Sequence, residues 1–163
     1  MKLTDLTAKK LVAAATGTIV VSTVVPVAVI ALSNKEPPSY TLSSSESGNN
    51  YSGNQLGASV QNQSQLVADT EKNKDWFEWV YKNKLEPKKI NNKGKNITSV
   101  FKDVTSGYGD NTTQHLNKVC ESHYKKPKNE FSGANASTSH ELKKDVENFC
   151  TVGGIGSLDV TAN

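Results

Sequence analysis

The chain has 163 residues and a mass of 17.6 kDa, which allows one domain, not two. Hydrophobic residues make up 35% and charged residues 21%, both below the globular averages of roughly 45–50% and about 25%; this argues against a large compact enzyme and against order along the whole chain. All 19 basic residues are lysine and the formal net charge is +3; with no guanidinium fork to clamp phosphate or read guanine, nucleic acid is not an expected partner.

Residues 1–10 carry Lys2, Lys9 and Lys10 and read as a cytoplasmic flank. Residues 11–32, LVAAATGTIVVSTVVPVAVIAL, hold no charge over 22 positions. A helix of that length reaches roughly 33 Å, enough for a hydrocarbon core of about 30 Å. In lipid the backbone must satisfy its own hydrogen bonds, so helix is expected despite the valines, with a kink at Pro26. The lysines before the block outnumber those just after it, which keeps the N-terminus inside and exports the rest. Two readings fit: an uncleaved single-pass transmembrane anchor, and a signal peptide cut after the Ala31-Leu32-Ser33 stretch. The length of the block favours the anchor. Either way the expected location is the cell membrane or beyond, with the C-terminal domain extracellular.

Residues 33–69 are rich in Ser, Asn, Gln and Gly, with isolated apolar positions and no period of 2 or 3.6. The expectation is a disordered polar spacer. Residues 70–163 then read as a small all-α ectodomain, a bundle of about four short helices. In the first, Trp76, Phe77, Trp79, Val80 and Tyr81 give i, i+3, i+4 spacing, with Asp69 or Thr70 as cap and Glu86-Pro87 as stop. A lysine-rich loop with Lys88, Lys89, Lys93 and Lys95 follows. Ile97, Val100, Phe101 and Val104 define a short second helix. Leu116, Val119, Cys120, His123 and Tyr124 line a third, capped by Asp110 or Asn111 and stopped by Pro127. Leu142, Val146, Phe149 and Cys150 line a fourth, opened by a Thr138/Glu141 capping box and ended by Gly153-Gly154. The tail IGSLDV fits a short edge strand or an extended wrap.

Cys120 and Cys150 are the only cysteines, each on the apolar face of its helix. If those faces meet, an exported domain favours a disulfide; two buried free thiols are the alternative. A zinc site from Cys120, His123, Cys150 and a further histidine matches no zinc grammar. A Cys120–His123 thiolate pair lacks an orienting partner on one helical turn. No catalytic, cofactor or metal residue is therefore expected, and the chain does not read as an enzyme. Candidate binding residues are Trp76 and Trp79, as a ligand or assembly face, and Lys88, Lys89, Lys93 and Lys95. Lysines 72–102 give a local excess of +6 that suits polyanionic glycans, and equally a solvated loop.

The segments DWFEWVYKNKL, NITSVFKDVT, LNKVCESHYKK and ELKKDVENFCTVGG, behind a Val/Ala-rich span and a polar spacer, resemble the paralogous uncharacterised membrane-anchored surface proteins of haemotropic mycoplasmas. The resemblance implies a non-enzymatic surface protein that contacts the host or varies antigenically. It carries no catalytic residue. The other reading is a structural envelope subunit that assembles with paralogues through the Trp76/Trp79 face.

Overall fold

In chain order, six α-helical segments carry the described residues: α1 (Val60–Gln63), α2 (Lys74–Val80), α3 (Glu86–Asn91), α4 (Ser99–Lys102), α5 (Leu116–Tyr124) and α6 (Thr138–Cys150). The computed structural model describes residues 35–91, 95–134, 137–154 and 156–161. The expected span at 11–32 and Lys93 lie outside them. Among the described residues no helix is long and apolar enough to cross a membrane. There is no β-strand among them either, only four isolated bridges, so the all-α expectation holds for this part of the chain.

The spine is α5 against α6. Leu116, Val119, Cys120, His123 and Tyr124 are all buried on α5, at the spacing the sequence predicts. Val146, Phe149 and Cys150 answer them from α6. Where the faces meet, Cys120 and Cys150 are bridged, with Cα atoms 5.6 Å apart. The Phe101 ring of α4 packs 5.5 Å from Phe149 and 5.6 Å from His123, which closes one side.

The first helix runs further than expected. Glu86-Pro87 does not end it. A π-turn over Tyr81–Leu85 links α2 to α3, with the Glu86 N–H bonded five residues back to the Tyr81 carbonyl. Pro87 has no N–H to give, and its ring would crowd the Asn83 carbonyl in an unbroken α-helix. The wider turn lets the chain pass that point still helical. Lys88 and Lys89 therefore sit on a helix rather than in a loop.

Residues 35–69 are not the expected disordered spacer. Leu42, Leu56, Leu66, Val67 and Ala68 are fully buried in the same core as α5 and α6. Here side-chain amides stand in for a strand ladder. Asn73 Oδ1 accepts from Tyr40 N–H at 2.8 Å, and its Nδ2 donates to the Tyr40 and Ala68 carbonyls at 2.8 and 2.7 Å. The Tyr124 hydroxyl donates to the Val67 and Cys150 carbonyls, tying this segment to the spine. Isolated apolar residues suffice because polar side chains satisfy the backbone between them.

Turn chemistry shifts several caps by a few residues. Ser137, not Thr138, caps α6 by accepting from His140 N–H at 3.2 Å. Asn111 organises a turn, accepting from Thr113 and Gln114 N–H, while α5 starts later, after His115. Asp69 binds Asn117 and Lys118 rather than capping α2. The tail wraps extended, with Leu158 buried. It is fastened by a reciprocal pair between Asn62 and the Asp159 backbone at 2.8 and 2.9 Å, and by Lys128 Nζ to Asp159 Oδ2 at 2.9 Å.

Candidate functional site

The π-turn brings Lys84 one helical turn before Lys88, and both face the C-terminal end of α6. Between them lies an open notch of about 310 Å³, lined by Lys84, Lys88, Asn148, Phe149, Gly153 and Gly154. After α6, Gly153 (φ 71°) and Gly154 (φ 65°) turn the chain in the left-handed region that glycine tolerates. A Cβ on Gly154 would stand 2.9 Å from the Asn148 carbonyl oxygen, so the wall of the notch needs its bare backbone.

Beside the notch three donors converge on one carboxylate. Glu36 Oε1 accepts from Trp76 Nε1–H at 2.7 Å and from Gly153 N–H at 3.1 Å. Its Oε2 takes Lys84 Nζ at 3.1 Å. Burial alone would raise the Glu36 carboxyl, but the bonds from Trp76, Lys84 and Gly153 outweigh it and hold the pKa below the ordinary glutamate value. The residue that follows Lys35 in the chain is thus clamped to the domain by charge-assisted bonds.

Lys88 is placed differently. Its ammonium lies 5.1 Å from the centre of the Phe149 ring and 3.9 Å from Asp145 Oδ1. The other oxygen of Asp145 is taken by Thr98, through N–H at 2.7 Å and Oγ1–H at 2.8 Å. Burial raises the Asp145 carboxyl, and the Thr98 bonds only partly offset that. Lys88 is thus held at the edge of the notch by an ion pair and a ring contact rather than by a short hydrogen bond.

The expected binding residues therefore part company. Trp76 is 0% exposed and its indole N–H serves Glu36, so it belongs to the core and offers no ligand or assembly face. Trp79 is half-buried, with Lys84 Nζ 5.4 Å from its ring. Lys89 donates to the Val104 carbonyl at 2.6 Å and lies over Tyr81. Among the described lysines of this run, Lys88 and Lys89 are engaged in separate contacts, while Lys95 is exposed. What the sequence reading missed is Glu36, Lys84 and the Phe149–Gly154 wall. Only the i, i+4 spacing of Lys84 and Lys88 was there to be read; no pattern marks Glu36.

The chemical candidates are spent on structure. Both cysteine sulfurs are in the bridge, which removes the thiolate and the zinc readings of Cys120. Among the described residues no group of His, Cys, Asp and Glu could hold a metal ion. His123 is buried between Phe101 and Phe131, with Nδ1 at 2.7 Å from the Val119 carbonyl. Comparison with family models, with curated proteins and with solved structures gives no match, so the notch is read from its own geometry.

Proposed function

We propose that the chain is a non-enzymatic surface protein: a single-pass anchor at residues 11–32 that carries a small disulfide-bridged helical domain outside the cell for host contact or antigenic variation. The observation that carries it is the Cys120–Cys150 bridge between α5 and α6. Disulfides persist in oxidising compartments, which is where lysine asymmetry about the apolar block would send the domain. The use of the titratable groups supports the same reading. Buried Asp145 holds Thr98, the partly exposed Asp159 holds the tail and Lys128, and buried His123 serves the Val119 carbonyl, three separate structural tasks among the described residues. Likeness to the haemotropic mycoplasma paralogues gives this proposal its host-facing form. Assembly through the Trp76/Trp79 face has less behind it, since Trp76 is inside.

Protease treatment of intact cells, with thiol counting on the extracted protein, tests this. Removal of the C-terminal domain from the outside, and no alkylation before reduction, are expected. Full protection in intact cells, or two reactive thiols in native protein, would refute it.

A further inference from the structure

We propose that this domain folds in an oxidising compartment that attaches no N-linked glycan, because the fold excludes a glycan at Asn62; the inference rests on the export proposed above. Five asparagines stand in the N-x-S/T arrangement that a glycosylating secretory lumen modifies: Asn50, Asn62, Asn96, Asn111 and Asn135. Asn135 lies outside the described residues. Asn50, Asn96 and Asn111 are exposed, so a sugar on any of them would leave into solvent. Asn62 differs from these three, being 0% exposed. Its Nδ2 gives one hydrogen to the Leu56 carbonyl at 2.8 Å and the other to the Asp159 carbonyl at 2.9 Å, while its Oδ1 accepts from Asp159 N–H at 2.8 Å.

Transfer from a lipid-pyrophosphate oligosaccharide would join Nδ2 to the sugar's C1. The bond from C1 to the pyrophosphate oxygen breaks, the pyrophosphate leaves with the electron pair, and one amide proton passes to a base. The product keeps one N–H where the fold uses two, and it carries a sugar where the side chain has no open face. The tail must then lift. With it go Leu158, which is 3% exposed, and the Asp159 carboxylate that holds Lys128 Nζ at 2.9 Å. Lys128 is itself 3% exposed, so its ammonium would lose the counter-charge that makes its burial tolerable. Timing sharpens the conflict. Asp159 follows Asn62 by 97 residues. At about 5–20 residues per second of synthesis, Asn62 waits about 5–20 s before the tail that covers it exists. The bridge gives no earlier shelter, since Cys150 comes almost as late. Disulfides persist both in a eukaryotic secretory lumen and at a bacterial cell surface; a sequon that must stay bare separates the two and favours the second.

The test translates the full chain into microsomes from eukaryotic secretory cells. Glycopeptide mass spectrometry reads each sequon; protease resistance and non-reducing electrophoresis read the fold and its bridge. Glycan at Asn62 is expected on part of the chain and only on protease-sensitive molecules, whereas glycan at Asn50, Asn96 or Asn111 is expected on resistant, bridged ones as well. Ser64→Ala deletes the sequon at an exposed position, gives up the hydroxyl bond to the Gln61 carbonyl and leaves Asn62 in place. It should raise the resistant fraction severalfold; Ser52→Ala, which deletes the sequon at Asn50, should not. Resistant, bridged chain with glycan at Asn62 overturns the exclusion. Asn62 left bare while the exposed sequons are filled overturns the reading of the compartment and leaves the export standing. No glycan at any of the five overturns the export and this inference with it.

Discussion

Reduction of the Cys120–Cys150 bridge offers the most direct measure of what holds this fold. The bridge closes a sequence separation of 30. The chain-entropy relation then gives about 12 cal/mol/K, or about 3.7 kcal/mol at 25 °C. Domains of this size are stable by roughly 5–15 kcal/mol, so loss of the bridge should weaken the fold without abolishing it. That expectation depends on the residues before position 70. A domain starting at Thr70 would lean heavily on one staple. Leu42, Leu56, Leu66, Val67 and Ala68 enlarge the core and share the burden. The assay is urea unfolding followed by tryptophan fluorescence, since Trp76 is fully buried and reports on the packed state. With a slope of about 2 kcal/mol/M, the midpoint should fall by about 2 M on reduction. Both sulfurs are 0% exposed, so reduction itself should be slow in native buffer and fast in urea. A reduced chain with an unchanged midpoint would refute the loop-closure account. Complete unfolding on reduction in plain buffer would refute the view that residues 35–69 supply core.

Three further outcomes follow from particular contacts. Asn73→Ala removes three hydrogen bonds, leaving the Tyr40 N–H without a partner while the Tyr40 and Ala68 carbonyls keep the N–H groups of Ala68 and Thr70; a loss of about 1–3 kcal/mol is expected in the same unfolding assay, and a change below about 0.5 kcal/mol would mark the site as surface-like. Gly107→Ala sets a Cβ 2.4 Å from the Phe77 carbonyl oxygen and from the Glu78 Cα, so α2 must move away and a cost of about 1–3 kcal/mol is expected; an unperturbed melting curve would contradict it. His123 carries a pH dependence of definite sign: burial holds its imidazole below the ordinary value, so the unfolded chain takes up the proton first. Stability attributable to it should fall below about pH 6.5, by up to about 1.4 kcal/mol per pH unit, until the folded pKa is reached. Lowered Glu36 and Asp159 add losses only below about pH 4.5 and 3.8, while raised Asp145 works in the opposite direction. His123→Phe should flatten the slope between pH 6.5 and 5 relative to the parent chain, and an unchanged slope would assign it elsewhere.

What could be read from the sequence was the part written in helical period. α5 and α6 announced themselves because Leu116, Val119, Cys120, His123 and Tyr124, and then Val146, Phe149 and Cys150, recur on one face; the sequence left a bridge and two buried thiols both open, and the meeting of the faces in the structure decides for the bridge. The helix through Trp76 was legible, its continuation past Pro87 was not, since the rule that proline ends a helix holds for α-turns and fails at a π-turn. Residues 35–69 were illegible for a plainer reason. Their burial has no period, because the chain there runs as short 3-10 turns, the single turn of α1 and isolated bridges, with Leu42 and Leu66 separated by many polar residues. The notch was half legible. Lys88 was on the page as a candidate, but Glu36 gained its meaning only through contacts with residues 40 to 117 positions away.

A chain so poor in apolar residues still buries an ordered core, and the asparagines explain how. Asn62, Asn73 and Asn117 are buried, and each holds backbone groups of another segment: Asn62 the distant tail at Asp159, Asn73 the strand-like arm at Tyr40, and Asn117 the neighbouring turn at Gly109, which it ties to the distant Asp69 carboxylate. An amide side chain presents one acceptor and two donor hydrogens, so it can replace two or three peptide partners at once. In a fold with no strand among its described residues, such side chains do the work that a ladder does in a sheet. They also divide the sequence by tolerance. Positions that bridge segments, with Glu36, Cys120 and Cys150, must stay, whereas exposed Ser, Thr and Lys between them carry no comparable cost. A domain built in that way holds one frame under heavy surface substitution, which would suit the host-facing role proposed above. The physical content of that link is open to direct trial. Alanine at Asn62, Asn73 or Asn117 should each lower stability more than a cluster of several simultaneous changes at exposed Lys, Ser and Thr positions, and the reverse order would sever the frame from the surface it is meant to support.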